Sequence, residues 1–338
     1  MNINKTELLR ALELVKPGLS NKETIEQSTF FAFIKGRVVT FNDEISLSHA
    51  IPNLEIEGAI KAEELYKLLN KIKAEELELS IEGSELLITS GRTKAGLTLQ
   101  EEVKLPLDEI AAITKWKKIP DGFIKHLKFC LPSCSRDMSR PVITGVHINQ
   151  KGVIEASDGF RITRCITSED AFPTPSFILP SSATIEVLKL NPVKISYAAN
   201  SGWAHFQSSE GTILSCRIFE ETYPDIEQFM DVEGTHITLP KSTQQVLDRA
   251  EVFSKRDNFI DESVILTLEN NRLKIRSESE VGWFEEEINI KYLEDKISIN
   301  ITPYLLRGIL SETNDCLVAE NCLKFAGVDW EYLTLLRG

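Results

Sequence analysis

Apolar residues recur along this chain with two periods, and each predicts a different element. At helical spacing, amphipathic segments begin near Lys5, Asp121 and Lys241, about 116 to 120 residues apart. A second helical pattern follows each one, near Lys61, Pro180 and Thr302, at an offset of about 56 to 61 residues. On the helix predicted over 61–73, Leu65, Leu68, Leu69 and Ile72 form one stripe, so Lys67 and Lys71 point away from the core. The segment from Asp121 repeats the arrangement, with Phe123, Leu127 and Cys130 inward and Lys125 and Lys128 outward. In the first helix Leu8, Ala11, Leu12 and Val15 share a face opposite Arg10.

Between the helices, apolar and polar residues alternate and turn residues interrupt, as in Leu77 to Gly83 followed by Glu85 to Gly91. Comparable pairs run from Val193 to Ala198 with Trp203 to Gln207, from Val264 to Leu268 with Leu273 to Arg276, and from Cys316 to Ala319 with Leu323 to Ala326. The pattern predicts an α+β fold in three similar domains, each an antiparallel sheet with two helices. Breaks near Thr114 to Pro120 and Gly234 to Pro240 put the domains at 1–116, 117–236 and 237–338.

Composition changes this picture in one respect. The 338 residues carry a net charge of −13, which argues against coating nucleic acid by simple attraction. The six helical segments, however, hold fifteen basic and nine acidic residues, a net of +6, so the remainder carries −19. Taken singly, a Lys/Glu-rich helix face reads as solvated surface. Its recurrence, with screening over about 8 Å at physiological salt, allows a locally basic helix layer on an acidic molecule.

Common catalytic signatures are missing: there is no phosphate-cradling glycine loop, dinucleotide fingerprint, nucleophile elbow or H-E-x-x-H. The chain therefore reads as non-enzymatic, without a cofactor. Cys130 and Cys134, with His126, form the single grouping suggestive of a metal, but a fourth ligand is lacking and buried thiols are the expected reading. Six sparse cysteines, an N-terminus without an apolar leader and no run of about 18 apolar residues predict a reduced, cytoplasmic protein.

The most informative stretch is Ala156-Ser157-Asp158-Gly159-Phe160-Arg161-Ile162-Thr163, an Asp-Gly turn that by itself reads as a plain hairpin. It resembles the Ala-Thr-Asp-Gly-His-Arg-Leu element of bacterial sliding clamps, the DNA polymerase III beta subunits. Other matches fall in order around it: Leu87 to Arg92, Arg140 to Val146, Phe177 to Pro180 leading into Ile185 to Leu188, Tyr223-Pro224-Asp225, and the tail Tyr332 to Arg337. The sequence also departs from that family. Ser181 and Ser182 stand where many clamps are basic, Pro141 and Val142 replace aromatic residues, Gln228 replaces a basic residue, Phe160 replaces histidine, and the tail lacks its proline. A divergent clamp of host, phage or mobile-element origin fits these changes.

The resemblance implies a head-to-tail homodimer, half of a six-domain ring per chain, that encircles duplex DNA without sequence preference and tethers DNA polymerase. It also implies a clamp loader and other proteins carrying a clamp-binding motif as partners. Its DNA-facing positions here are Arg10, Lys22, Lys67, Lys71, Lys125, Lys128, Arg249 and Arg307. The matching partner-peptide pocket is Ile143, Ser157, Gly159, Phe160, Arg161, Ile162, Pro224, Gln228, Phe229, Leu333, Leu335 and Leu336, with Ile143, Ile162, Phe229 and the tail leucines as apolar floor and Arg161 meeting a carboxylate or carbonyl at the rim. The dimer interface is expected to pair edge strands at Gly96, Leu97 and Leu99 with Ile265 and Leu266 of the other chain. The competing reading is a clamp-fold protein-binding scaffold that no longer closes on DNA.

Overall fold

The computed structural model describes residues 1–113, 115–167, 171–198, 202–257 and 262–336. Thr114, in one expected domain join, and Arg337 and Gly338, in the tail, lie outside the described residues. One unit, a strand, a helix and a three-strand meander, occurs six times in succession. The first is β1 (Asn2–Asn4), α1 (Lys5–Val15), β2 (Phe30–Ile34), β3 (Arg37–Phe41) and β4 (Ile45–Ala50). The second is β5 (Gly58–Lys61), α2 (Ala62–Lys71), β6 (Glu76–Glu82), β7 (Glu85–Ser90) and β8 (Thr93–Gln100). β9 (Lys117–Lys118), α3 (Phe123–Cys130), β10 (Gly145–Ile148), β11 (Val153–Ser157) and β12 (Arg161–Ile166) make the third. The fourth comprises β13 (Phe177–Pro180), α4 (Ser181–Leu190), β14 (Lys194–Ala198), β15 (Trp203–Gln207) and β16 (Ile213–Arg217). The fifth runs through β17 (Thr235–Thr238), α5 (Thr243–Ala250), β18 (Val264–Glu269), β19 (Arg272–Ser279) and β20 (Gly282–Asn289). The last is β21 (Ile297–Ile301), α6 (Pro303–Glu312), β22 (Asp315–Val318), β23 (Cys322–Ala326) and β24 (Trp330–Leu335).

Local chemistry accounts for many of these boundaries. The Asn4 side chain caps α1, accepting from the Thr6 and Glu7 amides at 2.9 and 3.1 Å. Glu63 and Glu64 occupy the first turn of α2 and Lys71 its last, matching the helix dipole. Pro303 opens α6, where a missing amide costs nothing. The two-residue turn between β18 and β19 is Asn270-Asn271, both in the left-handed region that this hairpin type requires and asparagine tolerates. The predicted stripe on α2 is present, with Leu65 and Leu69 buried and Lys67 and Lys71 exposed. α5 is shorter than the basic run around it, so Lys255 and Arg256 lie beyond its end.

Strand pairing follows a rule. Within each pair of units the leading strands are exchanged: β1 pairs β6 while β5 pairs β2, β9 pairs β14 while β13 pairs β10, and β17 pairs β22 while β21 pairs β18. Between successive pairs, the last strand of an odd meander meets the last strand of an even one. β4 joins β16 and β12 joins β24, all antiparallel. Because sheets run on across the expected joins, the chain groups into two compact units, Met1–Ile119 with Ile185–Ile218, and Pro120–Thr184 with Phe219–Gly338.

The first unit is built on a twelve-stranded sheet, with α1 packed on β3 and β4, α2 on β2 and β5, and the two helices in mutual contact. Its core includes Phe31, Phe33, Phe41, Trp203 and Phe206, all nearly or wholly inaccessible. The second unit holds an eight-stranded and a four-stranded sheet; α3 packs on β11 and β12, and α5 on β19 and β20 with α6 beside it. One expectation is corrected. β18 is an internal strand, paired to β19 and β21, with Leu266 fully buried, so Val264 to Leu268 offers no edge. The edges of that sheet are β20 and β21, and β20 is the one that ends a meander.

Candidate functional site

The residues singled out from sequence lie on exposed helix faces within each compact unit and, in the second unit, around the turn between β11 and β12. On the helices, the basic side chains reach solvent, but most are already engaged by carboxylates of the same compact unit. Arg10 on α1 meets Glu210, and Lys67 meets Glu63 one turn earlier on α2. Lys125 lies 2.9 Å from Glu312 and 3.4 Å from Asp329. Arg249 forks onto Glu286 with bonds of 2.8 and 2.7 Å, and Arg307 bonds Asp248 at 3.1 Å and also Glu251. Donating hydrogen bonds to Glu63, Glu312, Glu286 and Glu251 respectively raises Lys67, Lys125, Arg249 and Arg307 above their ordinary pKa. Lys128 instead stands 5.0 Å from the Tyr304 ring centroid, while Lys22 and Lys71 are exposed. In each unit the helix faces thus present positive charge diluted by their own acids.

The turn between β11 and β12 is tied from within. Asp158 accepts from the amides of Phe160 and Arg161 at 2.9 and 3.0 Å and from Arg161 Nε at 2.8 Å. The buried Ser157 hydroxyl donates to the Arg161 carbonyl at 2.8 Å and accepts from the Gly159 amide at 3.1 Å. Gly159 sits at φ +89°, a conformation that favours glycine. These bonds push Phe160 outward, 70% exposed, and its carbonyl accepts from the Leu335 amide at 2.8 Å. The end of β24 therefore runs along the turn.

Ile143, Ile162 and Leu333, expected as an open apolar floor, are instead closed over. They pack in one buried cluster with Ile178, Tyr223, Ile226, Met230 and Cys322. What remains accessible is Phe160, Phe229 at 56% and Leu335 at 41%, with Pro224 and Gln228 exposed and Leu336 half-buried. Gln228 donates to the Asp225 carbonyl at 3.0 Å. Arg161 Nε donates to Asp158 at 2.8 Å, so this side chain holds the turn while also lining the neighbouring cleft. Sequence reasoning missed the neighbouring cleft of about 450 Å³, whose lining includes Phe160 and Arg161 together with Arg136, Arg140 and Asn300. The Arg136 to Arg140 spacing is the signal that marks it in the sequence.

The metal-like grouping does not converge. His126 Nε2 is 2.8 Å from Asp329, while Cys130 Sγ lies 3.8 Å from Cys165 Sγ, and burial holds the Cys130 and Cys134 thiols well above their ordinary pKa. Among the described residues, no group of three or more His, Cys, Asp or Glu side chains is placed to hold a metal ion. No described helix is long and apolar enough to cross a membrane. Of the expected interface residues, Gly96 is exposed and Leu97 half-buried on β8, Leu99 is buried beside β5, and Ile265 and Leu266 are internal.

No protein-family model matches the sequence, and no curated protein matches it. Solved structures do. The chain is similar over its whole length to the DNA polymerase sliding clamp of Pseudomonas aeruginosa, at TM-score 0.76 and 17% identity, covering 99% of that chain. The DNA polymerase sliding clamp of Bacillus subtilis matches at 0.73 and 18%, with 100% and 98% of the two chains covered. The DNA polymerase III beta chain of Streptococcus pneumoniae matches at 0.78 and 20%, covering 100% and 99%. The chain has the α+β fold of three-domain bacterial sliding clamps, at 17 to 20% identity to these structures.

Proposed function

We propose that two copies of this chain close head to tail into a six-domain ring that encircles duplex DNA and acts in the cytoplasm as a non-catalytic processivity factor. The observation that carries the reading is the pairing rule. β4 meets β16 and β12 meets β24, so by the same rule β20 calls for a partner equivalent to β8. Among the described residues, β20 pairs only with β19, and β8 from Thr93 to Thr98 pairs only with β7; each strand has eight residues. Joining β20 of one copy to β8 of the other completes the series. The charges suit each other, since Glu285, Glu286 and Glu287 on β20 would face a strand carrying Lys94 and preceded by Arg92.

In that ring the domains are 1–116, 117–236 and 237–338, and the basic helix faces line the hole. The acids beside Arg10, Lys67, Lys125, Arg249 and Arg307 weaken attraction to phosphate, which suits a ring that holds DNA by enclosure and must slide. DNA polymerase, loader and other motif-bearing partners dock on the surface of Phe160, Phe229 and Leu335. Solution mass tests the reading first. A ring requires about twice the 38.1 kDa chain, and, once loaded, retention on closed circular DNA with release on linearisation. A monomer at micromolar concentration, or equal loss from circles and linear DNA, would favour the scaffold reading.

A further inference from the structure

We infer that the junction between copies lacks the helix-to-turn ion pair that ties both junctions inside the chain, and that Arg92 of one copy there meets the uncharged Gln245 of the other. The inference rests on the ring proposed above and names the two residues that set how firmly it closes.

Three helices hold the equivalent place beside a junction. α1 packs on β3 and β4, α3 on β11 and β12, and α5 on β19 and β20, in each case the last two strands of the helix's own meander. Each helix buries a stripe at i, i+3, i+4 and i+7, counted from Leu8, Phe123 or Thr243. That shared spacing fixes which outward positions correspond. Two residues after the first buried one stands Arg10 on α1, Lys125 on α3 and Gln245 on α5.

At the internal junctions the basic residue crosses to the turn that leads into the partner strand. Arg10 meets Glu210 in the turn before β16. Lys125 Nζ lies 3.4 Å from Asp329, the residue before β24, and His126 Nε2 is 2.8 Å from the same carboxylate. The open junction departs from this at both ends. The turn before β8 is Gly91-Arg92, so a cation stands where Glu210 and Asp329 supply acids, and α5 offers a carboxamide where the other two helices supply cations. Lys94 lies on β8 and faces the acids of β20, whereas Arg92, in the turn beyond the strand, falls opposite α5. Arg92 and Gln245 are both exposed, and among the described residues neither holds an ion pair or side-chain hydrogen bond. The single acid of α5, Asp248, is already bonded to Arg307 at 3.1 Å. A carboxamide oxygen accepts a hydrogen bond from a guanidinium but adds no charge, so it ties the turn less firmly than a carboxylate does. The two junctions inside the chain are fastened by charge, and the one between copies is left easier to part.

The test uses the full chain and changes only these two exposed residues, so each variant should fold. Energy transfer between fluorescently labelled copies, followed on dilution, gives the dimer dissociation constant. Gln245→Glu should lower it about tenfold, roughly threefold for each of the ring's two junctions, the size of an exposed ion pair. Salt at about 0.5 M should remove that gain. Arg92→Ala should move the parent constant by less than about twofold, yet abolish the gain from Gln245→Glu. Arg92→Asp combined with Gln245→Arg, which copies the internal polarity, should recover it. The inference is overturned if Gln245→Glu does not tighten the dimer, or tightens it equally when residue 92 is alanine. It is overturned as well if Arg92→Ala alone loosens the parent about tenfold, because Arg92 would then already have a charged partner across the junction. A parent that stays monomeric at micromolar concentration removes the ring itself, a result distinct from a dimer indifferent to these changes.

Discussion

The strand ends that meet inside the chain differ from the two left open. At the β4–β16 junction Leu47 stands opposite Leu214 and Ile45 opposite Cys216, and all four are buried. At the open edge of β20 the comparable region exposes Trp283 at 61%, with Val281 at 89% beside it. Both edges occupy the same place in the repeat, yet one has its partner in the same polypeptide and the other has not. An exposed hydrophobic strand edge is a hazard unless covered, and the proposed ring would cover this one with a second copy.

Charging the internal and the open strands separates the two cases. Leu266→Asp puts an unpaired carboxylate between β19 and β21 and should cost about 4 kcal/mol or more, unfolding that sheet. Circular dichroism melts and limited proteolysis would register it. Leu97→Asp or Trp283→Asp should leave the fold intact and shift the mass to one chain; dimers surviving both changes would place the interface elsewhere.

A smaller effect sharpens the contrast through pH. His205 on β15 faces Ser215 of β16, next to the internal junction, with Nδ1 2.9 Å from the hydroxyl. Burial lowers its pKa from 6.5 to about 4. The unfolded chain therefore binds the proton first, so this contribution is complete above pH 6.5 and is lost as pH falls toward 4. It amounts to roughly 3 kcal/mol. Urea midpoints across that window should fall in the parent and flatten in His205→Gln. An equally steep variant would assign the loss to other groups.

The smallest expected effect lies on the helices. Lys71→Ala should lower the salt slope of DNA binding by about one, whereas Glu63→Gln, which frees Lys67, should raise affinity and slope by a comparable step. If Glu63→Gln weakens binding instead, the acids on this layer support contact with DNA and do not dilute it.

The helices were legible because their signal is local. The stripe of Leu65 and Leu69 requires no knowledge of what it packs against, and Asp158-Gly159 declares its turn by composition. The candidate pocket was legible in part. Phe160, Phe229 and Leu335 are exposed, but Ile143, Ile162 and Leu333 are covered by Tyr223, Ile226 and Met230, from a segment some sixty to ninety residues from the first two. Such covering is a contact between distant parts of the chain, and no periodicity encodes it.

The amino-acid sequence by itself determined the repeat, the helix faces, the hairpins and the charge partition, since each follows from spacing of 3.6 or 2 residues and from turn chemistry. Only the tertiary structure decided which strands are edges. Alternation in β18 and β20 looks alike from sequence, because the side-chain period names the two faces of a strand and says nothing about its lateral neighbours. Those neighbours are chosen by long-range hydrogen bonding across the sheet, which leaves β18 enclosed and β20 open.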